Sequence, residues 1–170
     1  MKTSPSADDG PEQALYLLLT DLFYLLDDTD RQFFGEYGLS TRQFWALHHL
    51  DESDGLSMID LSRLLFTDKS NVTAIADRLE SAGLIKRSPD SSDRRVIVLT
   101  LTPEGRERHE QVLAAHKNRI STLIGSDEEA LRGAIRILEP IRHRLEQYLH
   151  PGTSPAPASQ PRSASGAAKS

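Results

Sequence analysis

Between Met58 and Glu104 the hydrophobic pattern changes period twice, and few folds accommodate that order. Ser57 with Asp60 caps a short helix carrying Ile59, Leu61, Leu64 and Leu65. After a turn near Thr67-Asp68, Val72, Ile75, Ala76 and Leu79 recur at helical spacing, and Gly83 stands where a helix stops. Two β-prone runs follow, Leu84 to Arg87 and Val96 to Leu101, on either side of Ser88-Pro-Asp-Ser-Ser-Asp-Arg-Arg95. They read as a hairpin with a long polar tip. Thr102-Pro103-Glu104 then starts another helix, a threonine cap with proline in the first turn.

The flanks are helical too. From Pro11, Leu15, Leu18, Leu19, Leu22, Leu25 and Leu26 form a stripe, widened by Tyr16, Phe23 and Tyr24 beyond what one neighbouring helix needs. Ser40 with Gln43 is a capping-box signature for a helix holding Phe44, Leu47 and Leu50. The helix from Pro103 runs through Val112, Leu113, His116 and Ile120 to about Gly125. Ser126 with Glu129 caps a last one, striped by Leu131, Ile135, Leu138, Ile141, Leu145, Tyr148 and Leu149; Pro140 is expected to bend it or break it after Leu138. The expected fold is mainly α with a small β-hairpin wing, an α+β winged helix-turn-helix over about 40–101. Residues 1–10 and the Pro-, Ser- and Ala-rich 151–170 are expected to be disordered, because neither buries enough apolar surface to offset its ordering entropy.

The absence of cysteine excludes disulfides, thiol redox chemistry and cysteine-ligated zinc. No apolar run approaches the ~18 residues of a membrane span, and Met1 to Gly10 lacks the apolar core of a signal peptide, so the expected location is the cytoplasm, with no membrane partner. The net charge of −5 argues against a polyanionic partner until it is divided. Residues 1–60 hold three basic groups against twelve acidic ones, so the surplus of positive charge lies in the remainder. That half is the one suited to face nucleic acid.

In a helix-turn-helix the second helix enters the major groove. With the apolar positions turned inward, Lys69, Ser70, Asn71, Thr73, Ala74, Asp77 and Arg78 face outward. Asn71 suits adenine, Thr73 offers a methyl to thymine, and Arg78 suits a phosphate or an intrachain pair. The plain alternative is a solvated helix face, which periodicity alone favours equally. At the hairpin tip Arg94 and Arg95 are free of the core, where a guanidinium can enter a narrow minor groove, and Asp93 can hold one of them extended.

In this register the chain resembles the multiple-antibiotic-resistance-regulator (MarR) family of bacterial transcription factors. The resemblance rests on Asp68-Lys-Ser-Asn-Val-Thr-Ala-Ile-Ala-Asp-Arg-Leu-Glu-Ser-Ala-Gly-Leu-Ile-Lys-Arg87, then Asp93-Arg-Arg, then Leu101-Thr-Pro-Glu-Gly105, and covers about 12–150. It implies a triangular homodimer whose dimerisation helices lie at about 11–34 and 103–149. It also implies binding to an inverted repeat in double-stranded DNA, repression, and release by a small, possibly phenolic, ligand. By position, Ser70, Asn71, Thr73 and Ala74 would face bases and Arg95 the minor groove beside Asp93. Thr73 and Arg87 fall where some members bracket an aromatic carboxylate, and Trp45 and His48 lie on the helix lining that cleft. For Arg87 a phosphate or a neighbouring acid is the plainer partner; Trp45 suits a core and His48 a half-exposed helix face.

The chain departs from two branches of that family. It has no peroxide-sensing cysteine, and His109 with His116, like His143 with His150, are seven apart, too far along a helix to share a metal as i, i+4 would. They read as surface histidines, with no metal and no cofactor. A phosphate loop, paired catalytic carboxylates and a nucleophile elbow are all missing, so no enzyme is expected. A winged-helix protein-interaction module without a DNA role is the alternative from another class.

Overall fold

The computed structural model describes residues 10–53, 55–90 and 92–149; the expected disorder of 1–9 and 151–170 falls outside them. In chain order the elements are α1 (Pro11–Glu36), α2 (Thr41–Asp51), β1 (Leu56–Ser57), α3 (Met58–Leu64), α4 (Lys69–Ser81), β2 (Ile85–Pro89), β3 (Ile97–Leu101), α5 (Pro103–Ile124) and α6 (Glu128–Leu149). The chain divides into two compact units, one ending at Ile120 and one beginning at Ser121.

Local chemistry sets most boundaries. Ser40 accepts from the Gln43 N–H while the Gln43 side chain accepts from the Ser40 N–H, a reciprocal capping box that starts α2. Ser57 caps α3 through the Asp60 N–H, and Asp68 caps α4 through the Asn71 N–H. Gly83 adopts φ +72°, which lets the Leu84 N–H return to the Leu79 carbonyl and close α4. The final cap lies one residue later than the sequence suggests. Asp127, rather than Ser126, accepts from the Ala130 N–H, two residues after the left-handed Gly125 (φ +88°). Nor does Pro140 break that helix. Residues 128–149 run on through it, since one missing N–H forfeits only one ladder bond.

The expected hairpin is part of a three-stranded antiparallel sheet ordered β1-β3-β2. β2 and β3 pair from Ile85 opposite Leu101 to Pro89 opposite Ile97, and β1 adds Leu56 opposite Leu99. Gly55 makes that edge possible. At φ +132° a side chain there would meet Val98 Cγ1 at 2.7 Å.

The core of the first unit gathers Phe34, Phe44, Leu47, Leu50, Leu61, Val72, Ile75, Leu79, Ile85, Leu99 and Val112. Phe34 and Phe44 stack at 4.2 Å between centroids. Two histidines expected at the surface lie inside instead: His109 and His116 are 1% and 6% exposed. The first packs against Phe44 and the second against Phe34, so α5 turns this face toward α1 and α2. On α1, within the first unit, Tyr16, Phe23, Tyr24 and Leu25 are all exposed. On α6, taken by itself, Ile135, Leu138, Leu145, Tyr148 and Leu149 are exposed as well.

Candidate nucleic-acid interface

The second helix of the helix-turn-helix, α4, buries Val72, Ile75, Ala76 and Leu79 and leaves Lys69, Ser70, Asn71, Thr73, Ala74, Asp77 and Arg78 exposed. Its first turn is organised by Asp68. One carboxylate oxygen accepts from Ser70 Oγ at 2.6 Å and from the Asn71 N–H at 2.9 Å; the other accepts from Asn71 Nδ2 at 3.1 Å. The Ser70 hydroxyl, then the Asn71 backbone and the Arg42 charge, hold this carboxyl below its ordinary range.

This geometry changes the roles open to the first turn. The positive end of the helix is already occupied by the chain's own carboxylate, so an incoming phosphate has to compete with it. Asn71 donates its amide to Thr67 Oγ1 as well as Asp68, leaving its carbonyl oxygen as the free group. The two-bond pairing with adenine therefore requires Asn71 to release its cap. Thr73 donates to the Lys69 carbonyl at 2.9 Å, which fixes the hydroxyl along the helix.

The wing tip is a sequence of aspartate turns. Asp90 Oδ1 accepts from the Ser92 and Asp93 N–H groups at 2.8 and 3.0 Å, a role that only the general Asx-turn tendency of aspartate signals in the sequence. Asp93 accepts from the Arg95 N–H at 3.0 Å, and its side chain lies 3.5 Å from Arg95 Nε. The Arg95 side chain is 94% exposed, braced at its base and open at its end. Among the described residues Arg94, Lys69 and Arg78 have no carboxylate at ion-pair distance.

At its base the wing is fastened to both neighbouring helices. Arg87 reaches from β2 to two acids of α4, Asp77 at 2.6 Å and Glu80 at 3.1 Å. The neighbouring-acid partner is thus the one realised, and an anion bracketed by Thr73 and Arg87 would have to displace two carboxylates. The Thr102 hydroxyl donates to the Gly83 carbonyl at 2.6 Å and accepts from the Gly105 N–H at 3.0 Å, while its own N–H bonds the Leu84 carbonyl. One threonine therefore joins the end of α4, the start of the wing and the first turn of α5. Gly105 is required there, because a Cβ would lie 1.8 Å from the Leu84 oxygen.

Trp45 and His48 lie together on α2, half-buried, with ring centroids 5.3 Å apart. Trp45 packs against the core, as its bulk suggests. Among the described residues no group of three or more His, Asp or Glu is arranged to hold a metal. No described helix is long and apolar enough to cross a membrane.

Comparison with known proteins gives the same architecture. A family model described as the MarR family matches residues 37–96. The HTH-type transcriptional repressor MdtR of Bacillus subtilis (strain 168) is 32% identical over 122 residues, covering 71% of this chain and 79% of that one. The transcriptional activatory protein BadR of Rhodopseudomonas palustris is 34% identical over 122 residues, 69% of each. Among solved structures, AbsC, a MarR family transcriptional regulator from Streptomyces coelicolor, superposes with a TM-score of 0.73 at 25% identity, over 84% of this chain and 99% of that one.

Proposed function

The chain belongs to the MarR family of winged-helix, DNA-binding transcriptional regulators, and from that premise we propose that it is a cytoplasmic homodimeric repressor of an inverted-repeat operator. The observation that carries the DNA reading to particular residues is Arg95: a nearly fully exposed guanidinium, braced by Asp93, on a wing tied to α4 by Arg87. In this reading Arg95 enters the minor groove, with Arg94 on the backbone beside it. Ser70, Thr73 and Ala74 meet base edges, Asn71 contributes its carbonyl oxygen, and Lys69 and Arg78 neutralise phosphates.

Dimerisation is supported by the exposed aromatic and leucine side chains of α1, because exposed apolar side chains grouped on one element mark an interaction surface. A two-fold dimer presents two recognition helices to half-sites about 34–36 Å apart. Repression follows MdtR rather than BadR, whose names carry opposite signs. An effector would act through its preference for one spacing of those helices over another, with Trp45 and His48 as the candidate contacts.

Arg95→Ala tests this reading. The variant is expected to keep the sedimentation mass of a dimer while its affinity for the operator falls about 10- to 100-fold, the loss of one groove contact worth about 1–3 kcal/mol. An Arg95→Ala protein that binds as tightly as the parent would overturn it.

A further inference from the structure

The buried face of α5 holds a polar chain that the DNA-binding face does not use. Glu52 Oε1 lies 3.6 Å from His48 Nε2, His48 Nδ1 lies 3.2 Å from His109 Nε2, and His109 Nδ1 lies 3.5 Å from Asp51 Oδ2. Asp51 is in turn paired with Arg106. Four ring nitrogens thus face three junctions, carboxylate to ring, ring to ring and ring to carboxylate. Each junction needs one proton, three in all, but two neutral imidazoles carry only two. The chain of contacts is one proton short. In its neutral form either a ring lone pair faces a carboxylate or two ring lone pairs face each other.

We propose that the His48–His109 pair is a proton-binding site, and that uptake of one proton draws α5 onto α2 and sets the protein's affinity for DNA. The added proton completes the series Glu52···H–His48–H···His109–H···Asp51, with the positive charge on His48, the ring that is partly exposed and adjoins Glu52. The groups facing the pair favour this single charge. From α2 come Asp51, Glu52 and His49, and from α5 come Arg106 and Glu110; Phe44 and Trp45 supply apolar walls. Burial, then His48, holds His49 below its ordinary value against the pull of Glu52, which lies 3.9 Å from His49 through Oε2 and 3.6 Å from His48 through Oε1. His109 Nδ1, now without a hydrogen-bond partner, gains Asp51 when the gap closes. A second proton would place two cations 3.2 Å apart and is opposed.

The pair is well placed to be felt by the DNA-binding elements. α5 leaves the wing at Thr102 and Gly105 and meets Asp51 through Arg106 one turn later, with His109 following on the same face. α2 packs on both α4 and β3. The contact therefore lies between the helix that emerges from the wing and the helix that supports the recognition helix.

The link to affinity rests on the regulator reading above, so the test has two readouts. In the first, a duplex recovered by selection from a random pool is titrated at fixed ionic strength at pH 8.0 and 6.5. The wild type is expected to tighten several-fold, within the ceiling of about tenfold per pH unit that one proton allows. His48→Asn keeps an amide near the Nδ1 position without titrating, and is expected to be flat. Equal pH dependence in the two proteins overturns the link. In the second readout, the His48 and His109 ring signals are followed by NMR without DNA. Coupled titration, with the His48 curve displaced in His109→Gln, supports the proton site even if no duplex binds, and two independent curves overturn it.

Discussion

Adding one methyl at Gly105 should cost stability, because among the described glycines it is the one whose added Cβ would meet another atom most closely. The residue is buried in the first turn of α5, and its Cβ would sit 1.8 Å from the Leu84 oxygen and 2.8 Å from the Leu84 carbonyl carbon. Both are backbone atoms, so no side chain can rotate away. Regaining van der Waals contact means parting α5 from the wing by roughly 1.5 Å. That separation stretches the Thr102 N–H bond to Leu84, now 3.1 Å, and the Thr102 hydroxyl bond to Gly83, now 2.6 Å. Overpacking costs about 1–3 kcal/mol and the partial loss of these two hydrogen bonds about 1 kcal/mol together, so Gly105→Ala should lose about 2–4 kcal/mol. At about 2–4 °C per kcal/mol for a chain of this size, Tm should fall by roughly 5–15 °C in a calorimetric scan at fixed protein concentration. Gly35→Ala in α1 is the control, since nothing lies within 4 Å of its Cβ; it should be neutral or gain up to about 1 kcal/mol. If the two variants melt together, the wing is not tied to α5 in the way described.

Two further outcomes follow from single residues. Phe66, at φ +48° and exposed in the turn between α3 and α4, holds a left-handed conformation that costs a bulky side chain about 1 kcal/mol; Phe66→Asn should raise the urea midpoint at unchanged m. Burial holds the folded-state pKa of His109 below the free value of 6.5, so its contribution to stability is complete above that pH and is lost as the pH falls through the lowered value. Unfolding followed as the pH falls below 6.5 should show this acid loss in the wild type and less of it in His109→Gln; equal slopes would contradict the assignment.

What could be read from the sequence was what depends on near neighbours. Ser40, Ser57 and Asp68 are caps because their side chains reach N–H groups three residues on, and Gly83 ends α4 through its own φ. The wing and its register were legible for the same reason. What escaped depends on distant partners. β1 is two residues long and exists only because β3 lies alongside it. His109 and His116 look like surface residues by spacing, yet α5 turns them onto Phe44 and Phe34. Asn71 lies on the outward face that its helical spacing predicts, but the hold of Thr67 and Asp68 on its amide is invisible without coordinates. Asp90, three residues from Asp93, carried an Asx-turn signal that the more conspicuous arginines overshadowed.

The most direct test of the central claim is a hydroxyl-radical footprint of the wild type and Arg95→Ala on the DNA upstream of the protein's own gene. The wild type should protect two half-sites about 10–10.5 base pairs apart, centre to centre, or a multiple of that spacing. Flanking minor-groove protection should be present in the wild type and absent in Arg95→Ala. Protection without two-fold symmetry, or flanks unchanged in the variant, would contradict a dimer that reads DNA with α4 and its wing.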